Sequence, residues 1–104
     1  MRRTAGWLSP SMSAESPSPV VTVYWRPGCP FCSRLFRGLD ESAIDYESVD
    51  IWEHPEAAEF VRSVARGNET VPTVAVRRGE ETISMVNPPA SDVAQAIARL
   101  SVSA

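Results

Sequence analysis

The chain has 104 residues, 43% of them hydrophobic and 22% charged, and a formal net charge of −3. That length makes one domain with a modest core that needs neither metals nor a disulfide framework, and the composition excludes a disordered chain. No apolar run approaches the roughly 20 residues of a membrane helix. The basic residues are scattered apart from Arg2-Arg3 and Arg77-Arg78, so neither nucleic acid nor membrane is an expected partner.

The opening Arg2-Arg3 is followed only by Trp7-Leu8 as an apolar stretch, too short for the core of an export signal. Ser9 to Pro19 is dense in serine and proline, with too little apolar surface to offset the entropy of ordering it. Residues 1–18 therefore read as a flexible tail and 19–104 as the folded domain. A cytoplasmic location is the default expectation, and there a close cysteine pair is more often catalytic or metal-binding than a permanent staple.

Val20 to Trp25 is β-branched and aromatic and reads as a buried strand, broken by Arg26-Pro27-Gly28. Pro30 suits a first helical turn, and Phe31, Leu35 and Leu39 at i, i+4 and i+8 give that helix an apolar stripe running to about Ser42. Ile44 to Ile51 alternates loosely as a second strand, parallel to the first because a helix intervenes. Pro55 opens a second helix with Ala57, Phe60, Val61 and Val64 on one face, ended by Gly67-Asn68. Thr73 to Val76 and Thr82 to Val86 read as a hairpin joined by Arg77-Arg78-Gly79-Glu80-Glu81. Ser91 is a candidate cap for a last helix carrying Val93, Ile97 and Leu100. The order βαβαββα predicts an α/β fold, a four-stranded mixed sheet with three helices on its two faces.

Cys29-Pro30-Phe31-Cys32 stands at the first strand-to-helix junction. Free backbone N–H groups and the positive end of the dipole favour an anion in a helix's first turn, so a thiol there ionises more readily than a free cysteine. Cys29, at or just before the helix start, is expected to be exposed and to act as the nucleophile. Cys32, one turn in and turned toward the core, is expected to resolve the mixed disulfide. Arg26, three residues before Cys29, adds positive charge favouring the thiolate.

A metal half-site is the bland alternative for the pair. Zinc needs four ligands, yet there is no second cysteine pair and His54 is the only histidine, so no metal is expected within the chain. An iron–sulfur cluster shared between two copies stays open. His54 reads as a solvated loop residue, Trp25, Tyr46 and Trp52 as packing or rim residues, and Glu53, Glu56 and Glu59 as a solvated helix face. Thr70-Val71-Pro72 is the second informative element, because a proline at a strand start leaves the preceding backbone free to pair elsewhere.

Tyr24-Trp25-Arg26-Pro27-Gly28-Cys29-Pro30-Phe31-Cys32, with Val49-Asp50-Ile51 and Thr70-Val71-Pro72-Thr73, resembles the glutaredoxin branch of the thioredoxin superfamily from about Val20 to Leu100. Asn68-Glu69-Thr70-Val71-Pro72-Thr73 and Asn87-Pro88 are most similar to the actinobacterial mycoredoxins, which use mycothiol where other glutaredoxins use glutathione. The resemblance implies a thioredoxin-like fold and a cis peptide before Pro72 that faces the cysteines, with the Val71 backbone pairing with substrate. Arg26, Phe31, Thr70 and Asp92 become candidates for contacts to the small thiol.

It further implies a monomeric thiol–disulfide oxidoreductase that acts on thiolated or disulfide-bonded proteins. No bound cofactor is implied, and the co-substrate is a small thiol, mycothiol favoured over glutathione. Two alternatives carry other expectations: a redoxin reduced by thioredoxin reductase that feeds an enzyme such as ribonucleotide reductase, and an iron–sulfur carrier. The chain departs from glutathione-using members in two places. Asn87-Pro88-Pro89-Ala90-Ser91-Asp92 replaces their Gly-Gly approach to the last helix, and Glu69 stands where many relatives have a basic residue.

Overall fold

The computed structural model describes residues 18–101, so the expected tail lies, but for Ser18, outside the described residues. The elements follow the expected order: β1 (Val20–Trp25), α1 (Pro30–Glu41), β2 (Glu47–Asp50), α2 (Pro55–Val64), β3 (Thr73–Arg78), β4 (Glu81–Val86) and α3 (Ala90–Ser101). They form one mixed sheet in the order β2-β1-β3-β4. β1 runs parallel to β2 and antiparallel to β3, and β3 is antiparallel to β4.

Strand alternation divides the core between the two faces of the sheet. On one face Val21 pairs with Val76 and Val23 with Val74, packed under Leu35 and Leu39 of α1 and Val93, Ala96 and Leu100 of α3. Val23, Val74, Val76 and Val93 have no exposed surface, and burial of each contributes about 1.5–3 kcal/mol. Gly38 lets α1 approach α3 closely, since a Cβ there would lie 3.0 Å from the Ala90 Cβ. On the other face Tyr24 and Ala75 pack with Ala57, Ala58 and Val61 of α2, Ile51, Val71 and both cysteines. The cysteine pair thus sits in the core on the α2 face of the sheet.

Four expectations need correction. The buried stripe of α1 is Cys32, Leu35 and Leu39, spaced i, i+3 and i+7, while Phe31 is 50% exposed. β2 is four residues long because Ala43 and Ile44 close α1 instead: Ala43 turns left-handed at φ 56°, and the Ala43 and Ile44 N–H groups bond to Asp40 and Leu39 carbonyls at 3.1 and 3.0 Å. That double closure is a Schellman end with alanine in the usual glycine place. The hairpin is tighter than expected, because Arg78 pairs with Glu81 and leaves only Gly79-Glu80 as the turn, with Gly79 at φ 63°. Finally, α3 begins at Ala90 and places Ser91 within its first turn, where the Pro89 carbonyl accepts the Asp92 and Val93 N–H groups at 3.0 and 3.3 Å.

Candidate functional site

β1 ends at Trp25, and Gly28, at φ 76°, turns the chain so that Cys29 enters α1. Only glycine takes that backbone without strain. Cys29 is the N-cap residue, extended at φ −100° and ψ 109°, with Pro30 at the first helical position. Its sulfur accepts the Cys32 N–H at 3.3 Å, the role that a serine or aspartate oxygen plays at other helix starts. The Cys29 carbonyl accepts the Ser33 N–H at 3.2 Å, so the first turn is closed around this residue.

Both cysteines are free thiols. Cys32 is buried as expected, but Cys29 is only 5% exposed, contrary to the exposed position expected for it. The Val71–Pro72 segment provides the cover, because the Cys29 thiol donates to the Val71 carbonyl at 3.7 Å. The Val71–Pro72 peptide is cis. Forty-two residues separate the two partners, so no local pattern announces the cover.

The two thiols are electrostatically unequal. Burial raises the Cys29 pKa, but the hydrogen bond with the Cys32 thiol, those from the Cys32 and Phe31 backbone N–H groups and the charge of Arg26 outweigh it, leaving Cys29 below the ordinary thiol value. Burial, then the hydrogen bond to Cys29 and its negative charge, push Cys32 up to about 12, against lowering by the Arg26 backbone and charge. One sulfur is prepared to carry charge while its neighbour holds a proton. Of the two, Cys29 is the more readily available as a thiolate, the form of a thiol that acts as nucleophile.

The remaining candidates are spread around this centre. Arg26 follows the end of β1, its guanidinium donating to the Pro27 carbonyl at 3.2 Å. Thr70 is half-buried, and its carbonyl accepts the Thr73 hydroxyl at 2.8 Å. Phe31 carries the Arg34 guanidinium over its ring at 5.5 Å. Together with Asn87, Pro88 and Pro89, these two line a groove of about 360 Å³ between α1 and the entry to α3. Asp92 is exposed in the first turn of α3, and none of the hydrogen bonds of the cysteine pair reaches it.

Three contributors, part of the resemblance in sequence, had no expected role in the site. Asn87 adopts a left-handed backbone at φ 51° and its N–H bonds to the Pro72 carbonyl at 2.7 Å, tying the groove wall to the cis-proline loop. Asparagine before a proline pair was the available signal. Thr73, fully buried, fixes the same loop through Thr70. Ile51 closes the floor beneath the cysteines, and nothing local distinguishes it from any other strand-end aliphatic residue. Among the described residues no three His, Cys, Asp or Glu side chains gather as a metal site, and no helix is long and apolar enough to cross a membrane.

The family model for glutaredoxin matches residues 21–80, which include the cysteine motif and the cis-proline loop. The chain belongs to the glutaredoxin family. Mycoredoxin 1 of Corynebacterium glutamicum is 40% identical over 73 residues, covering 70% of this chain and 86% of the relative. Among solved structures, the glutaredoxin-like NrdH-redoxin of Escherichia coli is 29% identical, with a TM-score of 0.52 over 77% of this chain and 92% of that one. A glutaredoxin from Brucella melitensis shares the fold at a TM-score of 0.56, over 82% of this chain and 91% of that one, with 19% identity. This glutaredoxin is therefore a thiol–disulfide oxidoreductase of thioredoxin-like fold, with a thiol as its co-substrate.

Proposed function

We propose that this glutaredoxin reduces mixed disulfides between proteins and a small thiol, with mycothiol preferred over glutathione, by a monothiol route through Cys29. The Cys29 thiolate attacks the small-thiol sulfur, a Cys29–small-thiol disulfide forms, and the protein sulfur leaves as a thiolate that takes up a proton. A second small thiol, as thiolate, then attacks the small-thiol sulfur of that disulfide. Cys29 leaves as thiolate and the small thiol departs as its own disulfide. On a protein disulfide, Cys32 loses its proton and displaces the product from Cys29, and the pair ends as a Cys29–Cys32 disulfide.

The observation that carries this reading is the Cys29 sulfur at the N-cap of α1, receiving the Cys32 amide. The same position favours Cys29 as attacker by raising its thiolate fraction and as leaving group by stabilising the departing thiolate. The groove beside it, walled by Phe31 and Asn87-Pro88-Pro89, is the proposed seat of the small thiol. Thr70, the Val71 backbone and Pro72 of the cis-proline loop, with Arg26 and Asp92, are the remaining proposed contacts. The preference for mycothiol is supported by the likeness to mycoredoxin 1 and by the proline-rich wall.

A second reading is favoured by the likeness to NrdH-redoxin, whose structure is described as explaining a thioredoxin-like activity profile. Reduction would then come from a flavoprotein reductase. One assay separates the two: turnover of a disulfide substrate with mycothiol, with glutathione, and with NADPH and thioredoxin reductase. Fast turnover with mycothiol alone supports the first reading, and turnover only with the reductase replaces it by the second.

A further inference from the structure

Outside the groove, the β2–α2 turn presents one feature that neither packing nor the dithiol chemistry explains. Trp52 is 64% exposed, an unusual setting for the largest apolar side chain. The turn that carries it is rigidly held against the end of β1. The Ile51 N–H bonds to the Trp25 carbonyl at 2.9 Å, the Trp52 N–H to the Asp50 carboxylate at 2.9 Å, and the Glu53 N–H to the Asp50 carbonyl at 3.1 Å. The indole so placed lies under the Arg26 guanidinium, whose central carbon is 5.9 Å from the ring centroid.

Arg26 has no ion pair among the described residues, and the Asp50 carboxylate is taken up by the turn itself. Among the described residues its head meets the Pro27 carbonyl, one residue away, and the Trp52 ring. Its main chain follows directly on the Trp25 carbonyl that the Ile51 N–H bonds at 2.9 Å. What remains to be decided is where the long side chain puts its charge, and a tryptophan face is the strongest aromatic partner for a guanidinium.

We infer that Trp52 is a positioning residue, whose ring face holds the Arg26 guanidinium beside the Cys29–Cys32 pair. The inference rests on the reading of Cys29 as the attacking thiol. Arg26 contributes to lowering Cys29, and a charge released into solvent is screened within a Debye length of about 10 Å. The titratable or charged groups packed around Cys29 are Cys32, Arg26 and Tyr24. The neighbours from α2, β3 and the cis-proline loop, Ala57, Ala58, Val61, Ala75 and Val71, carry no charge. Among the described residues, these neighbours supply no second cation beside Cys29 when the Arg26 head moves away.

The test is the rate of iodoacetamide alkylation of Cys29 against pH in the wild type, Trp52→Ala, Trp52→Phe, Arg26→Gln and the Arg26→Gln/Trp52→Ala double variant. Trp52→Ala should move the alkylation midpoint upward and slow the reaction below it, by no more than Arg26→Gln does, since the contact acts only through the place of the Arg26 charge. Trp52→Phe should recover much of the loss, and the double variant should match Arg26→Gln alone. A Trp52→Ala profile that overlays the wild type, a Phe variant no better than Ala, or effects that add in the double variant would each overturn the inference. Cys29→Ser serves as the separate control: if it leaves the low-pH alkylation intact, the reading of Cys29 fails, whereas its loss of alkylation with an unaffected Trp52→Ala profile removes only the role of Trp52.

Discussion

The Cys29 thiol points at the Val71 carbonyl, 3.7 Å away, while its sulfur accepts the Cys32 amide from the opposite side. The first contact needs the proton and the second favours the anion. Ionisation therefore gives up the partner in the cis-proline loop and keeps the one in the helix start.

The unequal thiols set the pH dependence of alkylation. Cys29 lies below the ordinary value, so its reaction with iodoacetamide should already be fast under conditions where a free thiol is slow, and should fall as pH drops through its own midpoint. Cys32, raised to about 12, should stay unmodified until the solution is strongly alkaline. Mass spectrometry of protein alkylated across the range checks both. The linkage has opposite signs for the two groups. The stability Cys29 contributes is present above its unfolded value and lost as pH falls through the folded one, whereas that of Cys32 is present below its unfolded value and lost as pH rises through the folded one.

Serine substitutions separate the proposed roles. Cys29→Ser should reduce every exchange reaction to background, because no other thiolate is prepared at the helix start. Cys32→Ser should leave removal of a small thiol from a protein near the wild-type rate and abolish reduction of a protein disulfide. Equal loss of both activities in Cys32→Ser would show that the monothiol route is not used.

Thr73→Val tests the support of the cis-proline loop. The hydroxyl is fully buried and donates to the Thr70 carbonyl at 2.8 Å, so an isosteric valine should cost about 1–2 kcal/mol of unfolding free energy by urea titration. Turnover should fall further than this loss of stability explains, because Thr70 adjoins Val71 and Pro72.

The corrected stripe of α1 makes a contrast in stability. Leu39 has no exposed surface, and Leu39→Ala should cost about 2–5 kcal/mol through lost burial and the cavity left behind. Phe31 is half exposed, and Phe31→Ala should stay within about 1 kcal/mol, since most surface substitutions have small effects, while raising KM for the small thiol. Chemical denaturation of the two variants side by side checks the ranking.

Strand and helix order and the dithiol at a helix start were legible in the residues, because both rest on short-range physics. β-branched runs, proline at a first turn and a two-residue cysteine spacing act within one or two turns of chain. Element ends were less legible. Ala43 closing α1 in a left-handed conformation, Arg78 pairing with Glu81 across a two-residue turn, and Phe31 rotated out of the stripe each depend on what packs against the element.

The residues alone determined that this protein has a sulfur able to ionise where β1 gives way to α1, since free amides at a helix start attract negative charge whatever surrounds them. Tertiary structure decided how that sulfur is held: Val71 folds over it from forty-two positions away, Asn87 ties the groove wall to Pro72, and the Trp52 ring lies under the guanidinium of Arg26. Each is a contact between segments whose sequences carry no record of one another, and only the closing of the sheet and its helices brings them within bonding distance.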